Sequence, residues 1–365
     1  MLDRTKLIEI VSGRRKSLLA GAFRFCLGCL TPVYRLAIGI RNRRFDRAIA
    51  NHNSAIVHRV NVPVVSVGNL TTGGTGKTPL VIWIAEFLQN QNVKVALISR
   101  GYGSPTTADK TVRNDEAMEI EKRLPNVPHL QAADRFQIAQ RAVEEFDAEC
   151  LVLDDGFQHR RLHRDLDIVL IDATLPFGYD RLLPRGLLRE PISALRRADL
   201  VILTRTDLVD SEHREQTIAR IRKQIGDRPL PETRTVIANL MQSDGTQAPI
   251  ERLSDLPIFF FCGIGNPESF EVSLHQQGLD ICGSTIFPDH HHFSSEEIAQ
   301  IGTSARDCGA AAIVCTQKDL VKIGTLEIGN LPLYAITIEV DFLGGQTILE
   351  SKLIALVESR GTSFA

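Results

Sequence analysis

The apolar residues of this chain follow two different spacings. Short β-branched runs, such as residues 63–67 and 150–153, have no helical period and predict buried strands. From Pro79 onward, Leu80, Ile84 and Leu88 recur at helical spacing, and a proline is tolerated in the first turn of a helix. Strands that alternate with helices in this way predict a parallel sheet with right-handed crossovers.

The same two spacings extend along the chain and restart once. The first predicted strands are residues 63–67, 93–99, 150–153, 168–171 and 200–203, with helices at 115–123 and 135–146. After about Pro249 come predicted strands at 258–261, 279–285, 311–315 and 333–338, with helices at 268–276, from Ser294, and at 346–359. The restart indicates a second, smaller α/β unit.

A glycine-rich turn separates the strand 63–67 from the helix that follows it. Its residues are Thr71, Thr72, Gly73, Gly74, Thr75, Gly76, Lys77 and Thr78. Backbone N–H groups of such a turn can surround an anion, and the helix N-terminus adds partial positive charge. Lys77 would neutralise β- and γ-phosphates, and the Thr78 hydroxyl would bind Mg²⁺. Although Thr71 replaces the usual first glycine, the strand–turn–helix context predicts a phosphate-binding loop rather than a chance turn.

These patterns together predict the fold class and the domains. We expect an α/β fold: a P-loop nucleoside triphosphate hydrolase-like parallel sheet sandwich with a second, smaller α/β domain. The predicted domains are an N-terminal membrane-surface helical segment (residues 1–60), a P-loop core (61–247) and a C-terminal α/β domain (248–365).

Two adjacent carboxylates, Asp154 and Asp155, follow the predicted strand 150–153. Adjacent carboxylates repel each other unless a cation is near, and ligands of parallel sheets bind beyond the carboxyl ends of the strands. We therefore predict that this pair holds Mg²⁺, directly or through water. The alternative is a solvated pair of loop residues.

Three further motifs leave their alternatives open. Asp289 precedes three consecutive histidines, which cannot all face one metal ion. Two interpretations remain for this motif: one of the histidines carries a proton in catalysis, or the motif is an ordinary surface loop. Residues 204–207 and 316–319 resemble in outline the N-K-x-D motif of guanine nucleotide proteins but lack its Asn-Lys, and are interpreted as strand-end structure. Asp115 by itself is a carboxylate at a helix start.

The N-terminal segment combines apolar and basic residues. Residues 17–40 are apolar but are interrupted by Arg24, Pro32 and Arg35, and the longest uncharged run, 25–34, is shorter than the roughly 20 residues of a spanning helix. We predict an element at an anionic membrane surface. The alternatives are a buried helix with snorkelling arginines and a cleaved signal peptide, which the nucleotide-binding motif downstream disfavours.

The composition narrows the class of protein only slightly. The net charge is −2, and the basic excess is confined to the N-terminus. The 7 cysteines are odd in number and scattered, so they do not indicate a disulfide framework, and a reducing cytosol is expected. Neither a nucleic acid nor an obligate protein partner is predicted.

The chain resembles the tetraacyldisaccharide 4'-kinases of lipid A synthesis along most of its length. The resemblance rests on ordered segments, among them "VPVVSVGNLTTGGTGKTP", "LISRGYGS", "NDEA", "LDDGFQHRRLHRDLDIVLID", "LLPRGLLREP", "FCGIGNPESF", "FPDHHHF" and "TQKD". One position departs from the family pattern: Asn114 stands where the family usually has glycine. Asparagine tolerates unusual φ angles better than most residues.

The resemblance implies an activity and a location. It implies ATP- and Mg²⁺-dependent phosphorylation of the 4'-hydroxyl of tetraacyldisaccharide 1-phosphate, which yields lipid IVA. It also implies a peripheral enzyme on the cytoplasmic face of the bacterial inner membrane. A P-loop ATPase or GTPase switch coupled to a protein partner is the main alternative, and a non-catalytic nucleotide-binding scaffold is another.

The resemblance also assigns roles to residues. Asp115 corresponds to the catalytic aspartate and His290, in the second predicted domain, to its partner, so that closure of the domains would assemble the site and exclude water. Glu190 corresponds to an acidic residue near the metal and nucleotide, beside Asp154 and Asp155. Candidates for binding anionic groups of the substrate are Arg100, His159, Arg160 and Arg161, together with Arg164. The alternative for each of these arginines is a solvated surface charge.

Overall fold

The computed structural model describes residues 4–101, 115–265, 267–289 and 291–361, which fold into two compact units. The first unit comprises residues 4–101, 127–234 and 342–361. The second comprises residues 115–126 and the described residues of 235–341. The helix that begins at Asp115 therefore belongs to the second unit, whereas the sequence-based boundaries placed it in the P-loop core.

Strands and helices alternate along the described part of the chain. The strands are Val64–Asn69 (β1), Val95–Ser99 (β2), His129–Gln131 (β3), Cys150–Asp154 (β4), Leu166–Asp172 (β5), Leu200–Thr204 (β6), Glu232–Met241 (β7), Gln247–Pro249 (β8), Pro257–Cys262 (β9), Asp280–Ile286 (β10), Ala312–Thr316 (β11), Glu327–Ile328 (β12) and Leu331–Gly344 (β13). The helices are Arg4–Ser12 (α1), Leu18–Ala50 (α2), Lys77–Asn90 (α3), Asp115–Arg123 (α4), Arg135–Phe146 (α5), Ser211–Ile225 (α6), Pro267–Gln276 (α7), Ser295–Asp307 (α8), Gln317–Ile323 (α9) and Gln346–Gly361 (α10).

The first unit is built on a parallel sheet. Its strands lie in the order β6-β5-β1-β4-β2-β3, and every neighbouring pair is parallel. Strands β1, β2, β4, β5 and β6 are buried at every position, which explains their continuous apolar runs. Because the strands are parallel, the P-loop after β1 and the two carboxylates at the end of β4 emerge at the same edge of the sheet.

Gly68 in β1 permits a close approach between this strand and the turn that follows β4. A Cβ atom at Gly68 would lie 2.5 Å from the Cβ of Phe157 and 2.7 Å from its backbone nitrogen. Only a glycine fits such a contact. Phe157 is fully buried in a cluster with Leu70 and Ile171, so the residues after the carboxylate pair are pressed against the strand that leads into the P-loop.

The second unit contains parallel strands in the order β10-β9-β11-β13. Successive residues of β9 face opposite sides, so Phe260 lies in one apolar cluster and Phe261 in another. The predicted capping box begins α8: the Ser294 hydroxyl accepts from the Glu297 N–H, and the Glu297 carboxylate accepts from the Ser294 N–H.

Helix α2 is a single helix of 33 residues that continues through Pro32. By length and composition it is capable of crossing a membrane, and the qualifying stretch is not buried in the described structure. The sequence argument against a span counted only the uncharged run 25–34. One face of the helix, here called the α2 apolar face, is exposed and consists of Leu18, Leu19, Phe25, Leu30, Val33, Leu36 and Ile40.

Most element predictions are confirmed. The predicted strands are present, with ends shifted by one or two residues, except that β13 continues to Gly344. Asp134 caps α5 as expected, because its carboxylate accepts from the N–H groups of Phe136 and Gln137. The apolar pattern did not predict β3, α6 or β7.

Candidate active site

The P-loop runs from the end of β1 to Gly76, which is the N-cap of α3. Gly73 and Gly76 have φ angles of 138° and 81°, in the region that favours glycine. A Cβ atom at Gly73, Gly74 or Gly76 would meet no atom within 4 Å. The backbone of this loop therefore borders open space, as a cradle for phosphate groups requires.

Lys77 and Asp155 lie together at the mouth of this loop. The Lys77 Nζ is 3.7 Å from the Asp155 Oδ1. Burial by itself would raise the pKa of Asp155, but the positive charges of Lys77 and Arg189 outweigh burial and hold that pKa below its usual value. Asp155 is consequently ionised at neutral pH, and the structure brings the predicted phosphate-binding lysine to a predicted metal-binding carboxylate.

Arg189 is a site residue that the sequence did not reveal. Its Nη1 donates to both carboxylate oxygens of Asp155, at 2.7 and 2.9 Å, and to the Oε1 of Gln158 at 3.2 Å. Its backbone N–H donates to the carbonyl of Leu70 at 2.7 Å. The only sequence signal was its place beside Glu190 in an irregular segment, and spacing in such a segment does not predict a tertiary contact.

The residues predicted to bind Mg²⁺ offer a suitable set of donors. Asp154, at the end of β4, is 7% exposed, Asp155 follows it, and Thr78 is the second residue of α3. Within the described residues, no three or more His, Cys, Asp or Glu side chains form a group that could hold a metal by themselves. Nucleotide-linked Mg²⁺ is usually bound through one or two carboxylates together with phosphates, so two carboxylates and a hydroxyl fit this ion.

Glu190 has a different environment from the predicted metal site. Its side chain is fully buried, and its two oxygens accept hydrogen bonds of 2.8 Å from the Arg197 guanidinium and of 2.7 Å from the Asn42 amide. Burial by itself would raise the pKa of Glu190. The charge of Arg197 and the hydrogen bonds from Arg197 and Asn42 outweigh burial and hold that pKa below its usual value. These contacts support a structural role that links α2 to the site, and metal binding by Glu190 stays a prediction.

Helix α2 contacts the two segments that hold Asp155. The Tyr34 hydroxyl donates to the carbonyl of Arg189 at 2.9 Å, and the Arg41 guanidinium donates to the carbonyl of Gln158. The side chains of Arg189 and Gln158 are the ones that meet beside Asp155. Tyr34 and Arg41 are displaced by roughly 100–120° around the helix axis from the centre of the α2 apolar face, so this polar side lies next to that face.

Arg160, a predicted substrate-binding residue, is buried in the structure, and substrate binding by Arg160 stays a prediction. Its side chain is 4% exposed, and its guanidinium donates to the Asp46 carboxylate at 2.6 Å and to the Asn42 carbonyl at 3.2 Å. It also lies over the ring of Phe45. A buried guanidinium with these partners joins α2 to the core.

His159 is partly buried and surrounded by positive charge. Burial lowers the pKa of its imidazole to about 4, and the guanidinium groups of Arg135, Arg164 and Arg161 contribute to that shift. The ring is therefore neutral at pH 7. Its Nε2 is buried and has no hydrogen-bond partner among the described residues, so it could accept or donate one bond to a group brought into the site.

Two other predicted substrate-binding residues are exposed. Arg161 presents its side chain to solvent while its carbonyl accepts from the His58 N–H at 2.7 Å. Arg100 is the residue directly after β2 and is also exposed. Both positions suit guanidinium groups that meet an anionic ligand from solution.

The segment after β6 contacts the P-loop directly. The Thr204 hydroxyl donates to the carbonyl of Thr75 at 3.1 Å. The Arg205 Nη1 donates to the carbonyl of Gly74 at 3.1 Å and to the Asp172 carboxylate at 2.5 Å. The sequence interpretation of this segment as strand-end structure is correct, but the sequence did not show that it supports the phosphate-binding loop.

A family model then decides what kind of protein carries this site. The model described as Tetraacyldisaccharide-1-P 4'-kinase matches residues 23–358. The chain belongs to the tetraacyldisaccharide-1-P 4'-kinase family. The match covers both compact units of the fold.

Individual members of the 4'-kinase family are similar over nearly the whole chain. The tetraacyldisaccharide 4'-kinase of Halothermothrix orenii is 32% identical over an aligned length of 367 residues, gaps included, and the alignment covers 93% of this chain and 94% of that protein. That of Syntrophus aciditrophicus is 36% identical over 344 residues, with 87% and 89% covered. The crystal structure of LpxK from Aquifex aeolicus in complex with ATP has a TM-score of 0.73 and 28% identity, and covers 92% of this chain and 99% of its own. The predicted family and α/β P-loop fold are confirmed.

The catalytic pair inferred from the 4'-kinase resemblance is not visible in the geometry. Asp115 is the first residue of α4, but its side chain, His290 and Asn114 lie outside the described residues. The neighbouring His291 is described: its Nε2 lies 3.0 Å from the Glu297 carboxylate, and its ring stacks on that of Phe287. The catalytic roles of Asp115 and His290 stay predictions.

Residues 316–319 have the strand-end role that the sequence indicated. Thr316 is the N-cap of α9, and its hydroxyl donates to the Asp319 carboxylate at 2.6 Å. That fully buried carboxylate also accepts from the Gly263 N–H at 3.0 Å. In the 4'-kinase fold of this chain the motif thus secures the turn after β9.

Proposed function

We propose that this protein transfers the γ-phosphoryl group of ATP to the 4'-hydroxyl of a tetraacyldisaccharide 1-phosphate, which yields lipid IVA. The observation that carries the proposal is a P-loop whose Lys77 faces Asp155, in a chain that belongs to the 4'-kinase family over residues 23–358. The alternative of a nucleotide-driven switch is not favoured, because relatives similar over almost their full length are named as 4'-kinases.

The first unit supplies the nucleotide-binding residues. The backbone of residues 73–76 borders open space and would receive the β- and γ-phosphates, while Lys77 would exchange its contact with Asp155 for contacts with phosphate oxygens. Phosphoryl transfer requires position and charge neutralisation more than covalent help. The backbone of residues 73–76 would position the phosphates, and the Lys77 ammonium group would neutralise part of their charge.

Thr78, Asp154 and Asp155 would hold Mg²⁺. The ion, when bound, would offset the negative charge of the phosphates. Arg189 keeps Asp155 ionised and fixes the direction of its carboxylate, so that this ligand is oriented before the nucleotide arrives. Such support of a ligand by a neighbouring side chain commonly matters for metal affinity.

The sugar hydroxyl needs a base, and the family resemblance gives this role to Asp115, with His290 as its partner. A carboxylate at the start of a helix is suited to accept the hydroxyl proton as the new P–O bond forms. The exposed Arg100 and Arg161 are our candidates for the anionic groups of the substrate, such as its 1-phosphate.

We further propose that α2 binds the cytoplasmic face of the inner membrane. The α2 apolar face is exposed, and the basic residues Arg14, Arg15 and Lys16 precede it. Polar residues of the helix outside this face, from Tyr34 to Asp46, are hydrogen-bonded to the rest of the first unit. Since this half of the helix is tied to the protein core, we infer that it lies along the membrane surface and does not cross the bilayer.

The experiment that tests the activity combines purified protein, Mg-ATP and the disaccharide monophosphate, with product analysis by mass spectrometry. We expect the lipid to gain one phosphoryl group, and fragmentation to locate that group on the 4'-oxygen. A lipid of unchanged mass, together with release of inorganic phosphate, would instead support the nucleotide-driven switch.

A further inference from the structure

Cys282 and Cys308 lie in contact within the second unit. Their sulfur atoms are 2.6 Å apart. Cys282 is in β10, and Cys308 is the C-cap of α8. Both side chains are partly exposed, whereas Cys262 and Cys315 of the same unit are buried. Two thiols that touch each other and can be reached from solvent meet the main requirement for a disulfide.

A β-bulge directs Cys282 at its partner. The pairing of β10 with β9 shifts between Ile281 and Gly283, so Cys282 is the extra residue in the strand. Bulges change the direction of the side chain that they carry. The Cys282 sulfur also lies 3.3 Å from the Ile258 carbonyl oxygen, and the Cys308 sulfur 3.2 Å from the Ala305 carbonyl oxygen, so local contacts help to position both sulfurs.

We propose that Cys282 and Cys308 are a modification site that forms a reversible disulfide by exchange with a small-molecule disulfide. One cysteine thiolate attacks a sulfur of the small disulfide, forms a mixed disulfide with it and releases one small thiolate. The second cysteine thiolate then attacks the protein-side sulfur and releases the other. The two protein thiols are oxidised, the small disulfide is reduced to two thiols, and the protons lost by the cysteines pass to them.

The chemistry also predicts how the rate depends on pH. Burial and, next, the hydrogen bond with Cys308 raise the pKa of Cys282 to about 12, so its thiolate is scarce at neutral pH. Because the thiolate is the attacking species and its fraction rises about tenfold per pH unit below the pKa, we expect attack by Cys282 to be on the order of 10²-fold faster at pH 9 than at pH 7.

The bridge would enclose the segment that contains the histidines. It would join β10 to the end of α8, and residues 283–307 between them include His291 and its partner Glu297. A cross-link restricts the open states of the segment that it closes. We therefore expect the oxidised protein to show slower amide hydrogen exchange in residues 283–307 than the reduced protein.

The test uses the full-length protein treated with oxidised glutathione, followed by proteolysis and mass spectrometry without reductant. We expect a peptide cross-linked through Cys282 and Cys308, which dithiothreitol separates. In the matched variants Cys282→Ser and Cys308→Ser, the remaining cysteine should keep one glutathione as a mixed disulfide. The variant Cys26→Ser/Cys29→Ser removes the exposed pair of α2 and should leave the cross-link unchanged.

Two results would overturn the proposal. The first is oxidised wild-type protein without the Cys282–Cys308 peptide, or with mixed disulfides on both cysteines instead. The second, for the structural consequence, is a cross-linked protein whose hydrogen exchange in residues 283–307 equals that of the reduced protein. Because neither readout involves phosphoryl transfer, failure here is distinct from failure of the proposed activity.

Discussion

Asp155 lies between two cations, Lys77 and Arg189, and this position explains how the site can accept a nucleotide. The bond to Arg189 is short and charge-assisted, whereas the Lys77 contact is longer, at 3.7 Å. When phosphates enter the loop, Lys77 can turn to them while Arg189 keeps the carboxylate ionised and in place. In the proposed function, Lys77 would bind the phosphates, and Arg189 would continue to hold the Asp155 carboxylate.

His159 gives a prediction about pH. Its pKa is about 4 in the folded protein, below the 6.5 of an unperturbed histidine, so between these values the unfolded chain binds a proton that the folded chain does not. The burial of neutral His159 therefore makes the free energy of unfolding depend on pH. The folded state has its full stability above pH 6.5 and loses part of it as the pH falls towards 4. The loss amounts to about 2 kcal/mol at pH 5. His159→Gln should therefore flatten the pH dependence of the unfolding free energy.

Urea unfolding at pH 7 and pH 5 measures this effect. His52→Gln, a change at an exposed position just after α2, is the matched control and should keep the slope of the wild-type protein. An equal pH dependence in His159→Gln and wild type would show that His159 titrates normally.

Substitutions of Asp115 and Lys77 should distinguish the phosphoryl-transfer step from nucleotide binding. We expect Asp115→Asn to lower kcat by about 10²- to 10⁴-fold, as loss of a general base does, while the Kd for ATP changes less than about threefold. Lys77→Ala should weaken ATP binding as well as transfer, because it removes charge from the phosphate site. Calorimetric titration with ATP, combined with kcat for both variants, measures the difference. Equal defects in ATP binding would contradict the assigned roles.

The sequence predicted some of these residues and not others for a physical reason. Lys77 and Asp155 belong to local motifs, in which the chemistry follows from a few neighbouring positions. Arg189 and Arg205 reach the site from irregular segments, and only the tertiary fold determines where their guanidinium groups lie. The burial of Arg160 was not predicted, because a buried arginine and an exposed one look the same in a sequence.

At the level of elements, the P-loop is supported on both flanks. On one side the Thr72 N–H donates to the Leu187 carbonyl at 2.8 Å, and the Arg189 N–H bonds to the residue before the loop. On the other side Arg205 bonds to the Gly74 carbonyl. A loop whose glycines border open space has few contacts of its own, so these flanking bonds fix its shape.

Arg205→Ala should therefore affect ATP affinity more than turnover. The loss of one charge-assisted bond, about 1.5–3 kcal/mol, corresponds to a KM for ATP that is roughly tenfold or more higher, while kcat changes by less than about threefold. Steady-state kinetics with varied ATP measures both. Arg214→Ala removes another arginine–carboxylate pair, with Glu232, and is the matched control that should leave KM unchanged. A fall in kcat alone would contradict support of the loop by Arg205.

The α2 apolar face gives the element-scale prediction for membrane binding. Val33→Glu/Leu36→Glu places two negative charges on side chains that are each 66% exposed, and should reduce flotation with anionic vesicles at least about tenfold. Leu343→Glu alters an exposed leucine of β13 and should bind vesicles as the wild type does. Unchanged flotation of the α2 variant would refute membrane binding through this face.

Burial explains which elements the sequence could predict. The central strands are buried on both faces, so their apolar runs are continuous and easy to recognise. Helix α6 is mostly polar and buries only Thr217, Ile221 and Ile225, and β3 has three residues, so both have weak patterns. In α2 the proline was treated as an interruption, whereas the helix continues through Pro32 at the loss of one backbone hydrogen bond.

At the scale of the whole molecule, the two compact units contain different groups of the predicted site residues. The first unit contains the P-loop, the carboxylate pair and α2, for which we propose membrane binding. The second contains α4, which begins at Asp115, and the segment with the histidines. The family match extends over both units, so we attribute the activity to the whole chain and not to the P-loop core alone.

The most direct test of this account follows the terminal phosphate of ATP. The protein is incubated with Mg²⁺, γ-labelled ATP and tetraacyldisaccharide 1-phosphate in mixed micelles, and the label in lipid and in inorganic phosphate is counted. We predict that nearly all transferred label is in the lipid, and that Lys77→Ala transfers almost none. Label found only as inorganic phosphate, with the acceptor present throughout, would contradict the account.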